Sequence, residues 1–259
     1  MSPQVHDVER LRAFVSSDPL RNAVMIQRLF MPRGKCIAFV DEEENPKAVA
    51  VVDLPDAEGD SYSLTLHGVD PRKTADVLGT VPEGTYWIQL ADEELFPVLE
   101  ARMRMGWYAR AWLLAMKPEE LKGDAGLETR RIDGKWAHKI ASVWATDWNA
   151  DGYVRHRLEE GPSSGVFVDG ELVGWGATHF ETDKVSMLGF MYILPEHRNK
   201  GYAESITADL VRQAAASGRT PACHVYEENY QSLGLCERMG FRRVCRQIWG
   251  DAVTRNREG

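Results

Sequence analysis

The chain has 259 residues, enough for one large domain or two of about 100–150 residues, each with its own core. Its composition, 44% hydrophobic and 27% charged with a net charge of −8, is that of a globular protein and lacks the basic excess that nucleic-acid binding normally shows. No apolar run approaches the ~18 residues of a membrane helix, and Met1 to Asp7 lack the basic and apolar parts of a signal peptide, so a cytoplasmic protein without membrane or nucleic-acid partners is expected.

The first regular pattern is a helix over residues 20–30. Two strands follow, 36–40 and 48–54, joined across the acidic turn Asp41-Glu42-Glu43-Glu44. Further on, Arg104-Met105-Gly106-Trp107 enters the apolar run that ends at Met116, and Arg238-Met239-Gly240-Phe241 enters the final strand in the same manner. This echo reads as a helix ending at glycine with an aromatic opening a strand, and it points to an internal repeat.

The polar segment from Lys117 to Gly126 places a domain boundary near residue 122, giving domains 1–122 and 123–259. The first carries 14 basic against 20 acidic side chains, the second 17 against 19. Beyond the boundary the pattern predicts a strand over 128–132, a helix over 135–148, a hairpin of strands 165–168 and 172–180 about Asp169-Gly170, and a strand over 185–194. A helix over 202–216 stopped by Gly218, a strand over 222–226, a helix over 230–239 and a strand over 241–249 complete the series. Strands alternating with helices late in the chain predict an α/β (α+β) fold, a sheet layered by helices.

The strand over 185–194 runs into Pro195-Glu196-His197-Arg198-Asn199-Lys200-Gly201-Tyr202-Ala203 and then a helix. Free backbone N–H groups at a helix N-terminus suit a phosphate, Gly201 and Ala203 allow the backbone to approach one, and Arg198 and Lys200 add positive charge. This loop resembles the R/Q-x-x-G-x-G/A pyrophosphate loop of the GNAT acyltransferase superfamily. Val225, Asn229, Ser232 and the run Leu235-Cys236-Glu237-Arg238-Met239-Gly240-Phe241 are similar to its second signature, V-x-x-x-N-x-x-A/S-x-x-L-Y-E-K-x-G-F. Two signatures in order cover residues 127–249, and the string from Leu194 to Tyr202 is similar to glycine N-acyltransferase-like members.

The resemblance implies a mixed, mostly antiparallel sheet with flanking helices, and an acetyl-CoA or other acyl-CoA co-substrate. It implies transfer of an acetyl or other short acyl group to the amine of a small molecule, an amino acid among the candidates, by direct attack on the thioester. The cofactor would lie on Tyr192, Ile193 and Leu194, on the loop Arg198, Asn199, Lys200, Gly201, Tyr202 and Ala203, and on Asn229 and Ser232. Gly189 fits a bulge or a close backbone approach, either of which would help its strand diverge. A backbone N–H near Ile193 would serve the oxyanion.

The proton-transfer residues depart from the family pattern. Cys236 stands where the family has a tyrosine acid, and Met187 where glycine N-acyltransferases have a glutamate base. Tyr226, Tyr230 or Cys236 can serve as acid, or the coenzyme A thiolate can leave unassisted, and Glu227, Glu228 or His224 can serve as base, each residue with a purely structural alternative; Glu196 and His197 read as capping and surface residues. An acyl-CoA-binding protein without turnover is the competing function.

The first half should repeat the fold with its loop near Gly68 to Ala75. No glycine stands three residues after Arg72, and Asp70 and Asp76 flank the segment, so that loop should not bind coenzyme A. Its expected tasks are to wall the acceptor cleft and supply strand partners to the end of the chain. Trp136, Trp144 and Trp148 recur on one helical face, and Arg242, Arg243 and Arg246 offer charge to a remote phosphate or protect a strand edge. Cys36, Cys223, Cys236 and Cys245 form no C-x-x-C pair, which predicts reduced thiols and no metal site. A monomer or homodimer is expected.

Overall fold

The computed structural model describes residues 4–5, 7–31, 36–53, 62–145 and 149–255. The chain forms two compact units, residues 1–112 with 245–259, and residues 113–244. The division therefore falls ahead of residue 122, and residues 245–259 return to the first unit.

The first unit contains β1 (Gln4–Val5), α1 (Arg12–Val15), α2 (Ala23–Phe30), β2 (Cys36–Val40), β3 (Ala48–Asp53), β4 (Tyr62–Gly68), α3 (Pro71–Leu78), β5 (Thr85–Asp92), α4 (Phe96–Arg102) and most of β6 (Met103–Ala115). β2, β3 and β4 pair antiparallel in sequence, and β4 pairs parallel with β5. The run Ala48–Asp53 is apolar nearly throughout because the sheet is covered on both faces. Val49 and Val51 pack with Leu11, Met25 and Leu29, whereas Ala48, Ala50 and Val52 pack with Val77, Leu78 and Leu99.

The second unit contains α5 (Ala137–Trp144), α6 (Asp151–Glu160), β7 (Ser163–Val168), β8 (Glu171–Glu181), β9 (Val185–Ile193), α7 (Tyr202–Ala216), β10 (Thr220–Tyr226), α8 (Tyr230–Met239) and the start of β11 (Arg242–Thr254). β7, β8 and β9 are antiparallel and β9 pairs parallel with β10. Asp169 and Gly170 both have positive φ, 51° and 85°, as a tight hairpin turn requires. α7 buries Ile206, Leu210, Val211 and Ala214. From Gln247 onward β11 pairs antiparallel with β5, so the end of the chain does find its strand partner in the first half.

Two helices and then strand, strand, strand, helix, parallel strand, helix, strand describe α1 to β6, and the same order describes α5 to β11. The repeat is real at the level of elements, but the tetrapeptide echo is not its marker. Gly240 ends α8 with φ 108°, whereas Arg104 to Trp107 already lie inside β6, because α4 stops at Arg102.

Other differences are local. Residues 128–132 form only a single bridge, Arg130 to Gly165, in place of a strand. The expected helix 135–148 is a 3-10 turn, Gly134–Trp136, followed by α5; residues 146–148, Trp148 among them, lie outside the described residues, as does Leu54. α6 is an addition to the expected elements. Among the described residues no helix is long and apolar enough to cross a membrane.

Candidate functional site

β9 and β10 pair over only four residues, Thr220 to Cys223 against Val185 to Leu188, and then separate. The divergence has a local cause in β9. Trp175 and Ala177 of β8 face Tyr192 and Gly189, which leaves two residues of β9 opposite Gly176 alone. Phe190, within this bulge, has φ 53°. The left-handed residue is thus the phenylalanine beside Gly189. Gly189 borders the bulge and also meets the expected close approach, since a Cβ there would collide with the His179 ring.

Beyond the bulge, the N–H of Leu194 donates to the carbonyl of Val173 at 2.9 Å, towards β8. Successive residues of a strand alternate, so the N–H and C=O of Ile193 point to the opposite, open edge. The carbonyl of Ile193 there accepts from Nε of Arg198 at 3.2 Å, and the Arg198 guanidinium lies over the Tyr192 ring, 5.6 Å from its centroid.

The loop between β9 and α7 turns through two left-handed residues, Asn199 at φ 60° and Gly201 at φ 81°. Gly201 is the N-cap of α7, and among the described residues no side chain caps that end. The first N–H groups of a fifteen-residue helix are thus left without a side-chain acceptor, at its positive end. Lys200 and Arg198 are exposed beside them, and Tyr202 stacks on His197.

α3, the counterpart of α7 in the first unit, shows the opposite arrangement. Oδ1 of Asp70 accepts from the N–H groups of Arg72 at 2.8 Å and Lys73 at 3.3 Å, and Pro71 contributes no N–H. A carboxylate already sits where an anion would be held.

The remaining expected residues gather near the end of β10. Oδ1 of Asn229 caps α8 by accepting from the N–H of Ser232 at 3.1 Å. Tyr226 is half-exposed, and burial of its hydroxyl pushes its pKa up; Tyr230 is mostly exposed. Glu227 is half-buried and Glu228 exposed. Met187 is fully buried, so no carboxylate stands at that point of β9. The Cys236 sulfur is 3.7 Å from that of Cys223, both free thiols; with Cys223 as donor, Cys236 is held below the usual thiol range and Cys223 is pushed up.

The basic residues of β11 are engaged with carboxylates. Arg242 pairs with Glu120 at 2.8 Å, Arg243 with Glu237 at 2.8 Å and Arg246 with Glu93 at 3.5 Å.

A cluster of which the sequence pattern singled out only Trp144 lies beside the bulge. The His179 ring centroid is 3.9 Å from that of Phe190 and 5.1 Å from that of Trp144, and Nδ1 of His179 is 3.4 Å from the Tyr153 hydroxyl. Burial first, then the charge of Arg157 and the neighbouring His224, drive the His179 pKa down to about 3, so the ring is neutral. Arg157 itself is buried, donating to the carbonyl and hydroxyl of Thr178 at 2.8 and 2.7 Å and pairing with Glu181 at 3.3 Å.

Comparison with known proteins agrees with this reading of the fold. The FR47-like protein family matches residues 165–250, which contain the β9–α7 loop and α8. No curated protein matches the chain in sequence. Among solved structures, a Drosophila protein superposes with a TM-score of 0.74 at 12% identity, covering 98% of each chain. A GNAT-family acetyltransferase from Colwellia psychrerythraea superposes at 0.63 and 12% identity over 98% of this chain and 100% of its own. A tandem GNAT protein from the clavulanic acid biosynthesis pathway does so at 0.59 and 12% over 98% of each. At these identities the likeness is one of fold. The chain therefore has the GNAT fold in tandem, and its residues 165–250 match the FR47-like protein family.

Proposed function

We propose that the second unit binds acyl-CoA and transfers an acetyl or other short acyl group to the amine of a small molecule. The observation that carries the reading is the contrast between two equivalent helix ends. α7 opens uncapped on a loop with two left-handed residues, beside strands that part after Leu188 and Cys223, whereas Asp70 closes α3.

In this reading the open N–H groups of α7 hold the pyrophosphate, and Arg198 leaves the Ile193 carbonyl to meet it. The free backbone edge of β9 from Gly189 to Ile193 receives the pantetheine arm in the manner of an added strand. The N–H of Ile193 points to the same edge and is the donor for the developing oxyanion. Attack by the amine forms the C–N bond and breaks the C–S bond. One proton leaves the amine, through water, towards Glu227, and one reaches the departing thiolate. Tyr226, whose hydroxyl keeps its proton at neutral pH, suits that second task better than Cys236, whose thiol is held low by Cys223.

The buried Met187 favours a second reading, in which the unit binds acyl-CoA without turnover. Thiol release from acetyl-CoA across a panel of small amines separates the two. Amine-dependent release supports transfer. Thermal stabilisation by coenzyme A without release at any amine supports the binder, and absence of both rejects the acyl-CoA site.

A further inference from the structure

Cys223 is the last residue of β10 still paired with β9, and Cys236 lies on α8. Their sulfurs are 3.7 Å apart, in contact yet unbonded. Cys223 is buried and Cys236 half-buried, so one sulfur has access to a small reagent and the other is sheltered behind it. The other two cysteines stand elsewhere, Cys36 against the carbonyl of Arg28 and Cys245 against Asp92.

We propose that Cys223 and Cys236 are a redox pair which hydrogen peroxide closes to a disulfide and a thiol reductant reopens. Closure needs the sulfurs to approach from contact to about 2.05 Å. Cys236 is the attacking partner because it is the more accessible, and its hydrogen bond from Cys223 favours the thiolate.

The Cys236 thiolate attacks one peroxide oxygen, an S–O bond forms and the O–O bond breaks, giving a sulfenic acid and, after proton uptake, water. The Cys223 sulfur then attacks the Cys236 sulfur. The S–S bond forms, the S–O bond breaks, and hydroxide leaves with the Cys223 proton as a second water. Two electrons pass from the two thiols to the peroxide. The product ties β10 covalently to α8 and encloses Tyr226, Glu227, Asn229 and Ser232 in one loop.

The test uses the reduced full chain treated with hydrogen peroxide, alkylated under denaturing conditions and mapped by mass spectrometry, with no acyl-CoA present. The expected result is a loss of about 2 Da, a Cys223–Cys236 cross-linked peptide, alkylation restricted to Cys36 and Cys245, and full reversal by dithiothreitol. In Cys223→Ser the sulfenic acid on Cys236 is expected to persist and to be trapped by dimedone. Further oxidation of Cys236 in the unaltered chain without any cross-linked peptide, or a cross-link that joins a different pair, would overturn the proposal whether or not the variant folds.

Discussion

Replacing Gly201 by aspartate would give α7 the seal that Asp70 gives α3, and its effects on stability and on binding should diverge. A side chain at φ 81° costs about 1–2 kcal/mol, less for aspartate than for most residues. A Cβ there would also stand 2.7 Å from the Cβ of Ala125, so one of the two segments must shift. An N-cap carboxylate in place of glycine returns only a few tenths of a kcal/mol, leaving a net loss of about 1–2 kcal/mol before that shift is counted. The binding penalty is larger. A carboxylate about 4 Å from a pyrophosphate charge costs ~4 kcal/mol at an effective dielectric of 20, close to a thousandfold in Kd. Calorimetric titration with coenzyme A, alongside thermal unfolding with and without it, reads both effects. If Gly201→Asp folds and binds coenzyme A within about tenfold of the unaltered chain, α7 is not the phosphate seat. Recovery of affinity in Gly201→Asp with Ala125→Gly would refute the charge argument in favour of a steric one.

The converse change, Asp70→Ala, should cost about 1 kcal/mol by uncapping α3 and lower Tm by roughly 2–4 °C. Titration should still find one coenzyme A site per chain, because Pro71 offers no donor and no glycine lets the α3 backbone close on a phosphate. Arg157→Met should destabilise by about 3 kcal/mol in urea unfolding, since it strands the Thr178 carbonyl and one Glu181 oxygen in a buried site; a loss under about 1 kcal/mol would contradict the assigned contacts. For His179 the folded pKa, about 3, lies below the ordinary value near 6.5, so the unfolded chain takes up the proton first. Stability should therefore fall as pH drops from about 6.5 towards 3, by at most ~1.4 kcal/mol per pH unit, and His179→Phe should flatten that slope in pH-dependent urea unfolding.

What could be read from the sequence followed local chemistry. α7 and α8 stand at the expected bounds because glycines at 201, 218 and 240 adopt positive φ and Asn229 caps the second helix. α6 escaped because its buried side chains are Val154, Arg157 and Leu158, and a buried arginine at the middle position breaks the apolar stripe. Gly189 was read as marking a bulge or a close approach, and it borders the bulge with the His179 ring against it, but the left-handed turn itself falls on Phe190, which no residue-type preference announces. The contact of Cys223 with Cys236 likewise exists only once a strand and a helix are packed. In the first half, the absence of a glycine after Arg72 was legible, but the capping carboxylate of Asp70 supplies the physical reason that α3 is closed.

The path of β11 sets an order of events during synthesis. Residues 245–254 belong to the first unit, where Gln247 to Val253 pair with Asp92 to Thr85 and the N–H of Gly84 donates to the Thr254 hydroxyl at 2.9 Å. On a ribosome the amino-terminal strands emerge first, but β5 waits with one edge unpaired until the whole second unit has been made. The unit begun earliest is thus finished last, and a chain halted after residue 244 would present that bare β5 edge to chaperones or to other nascent chains.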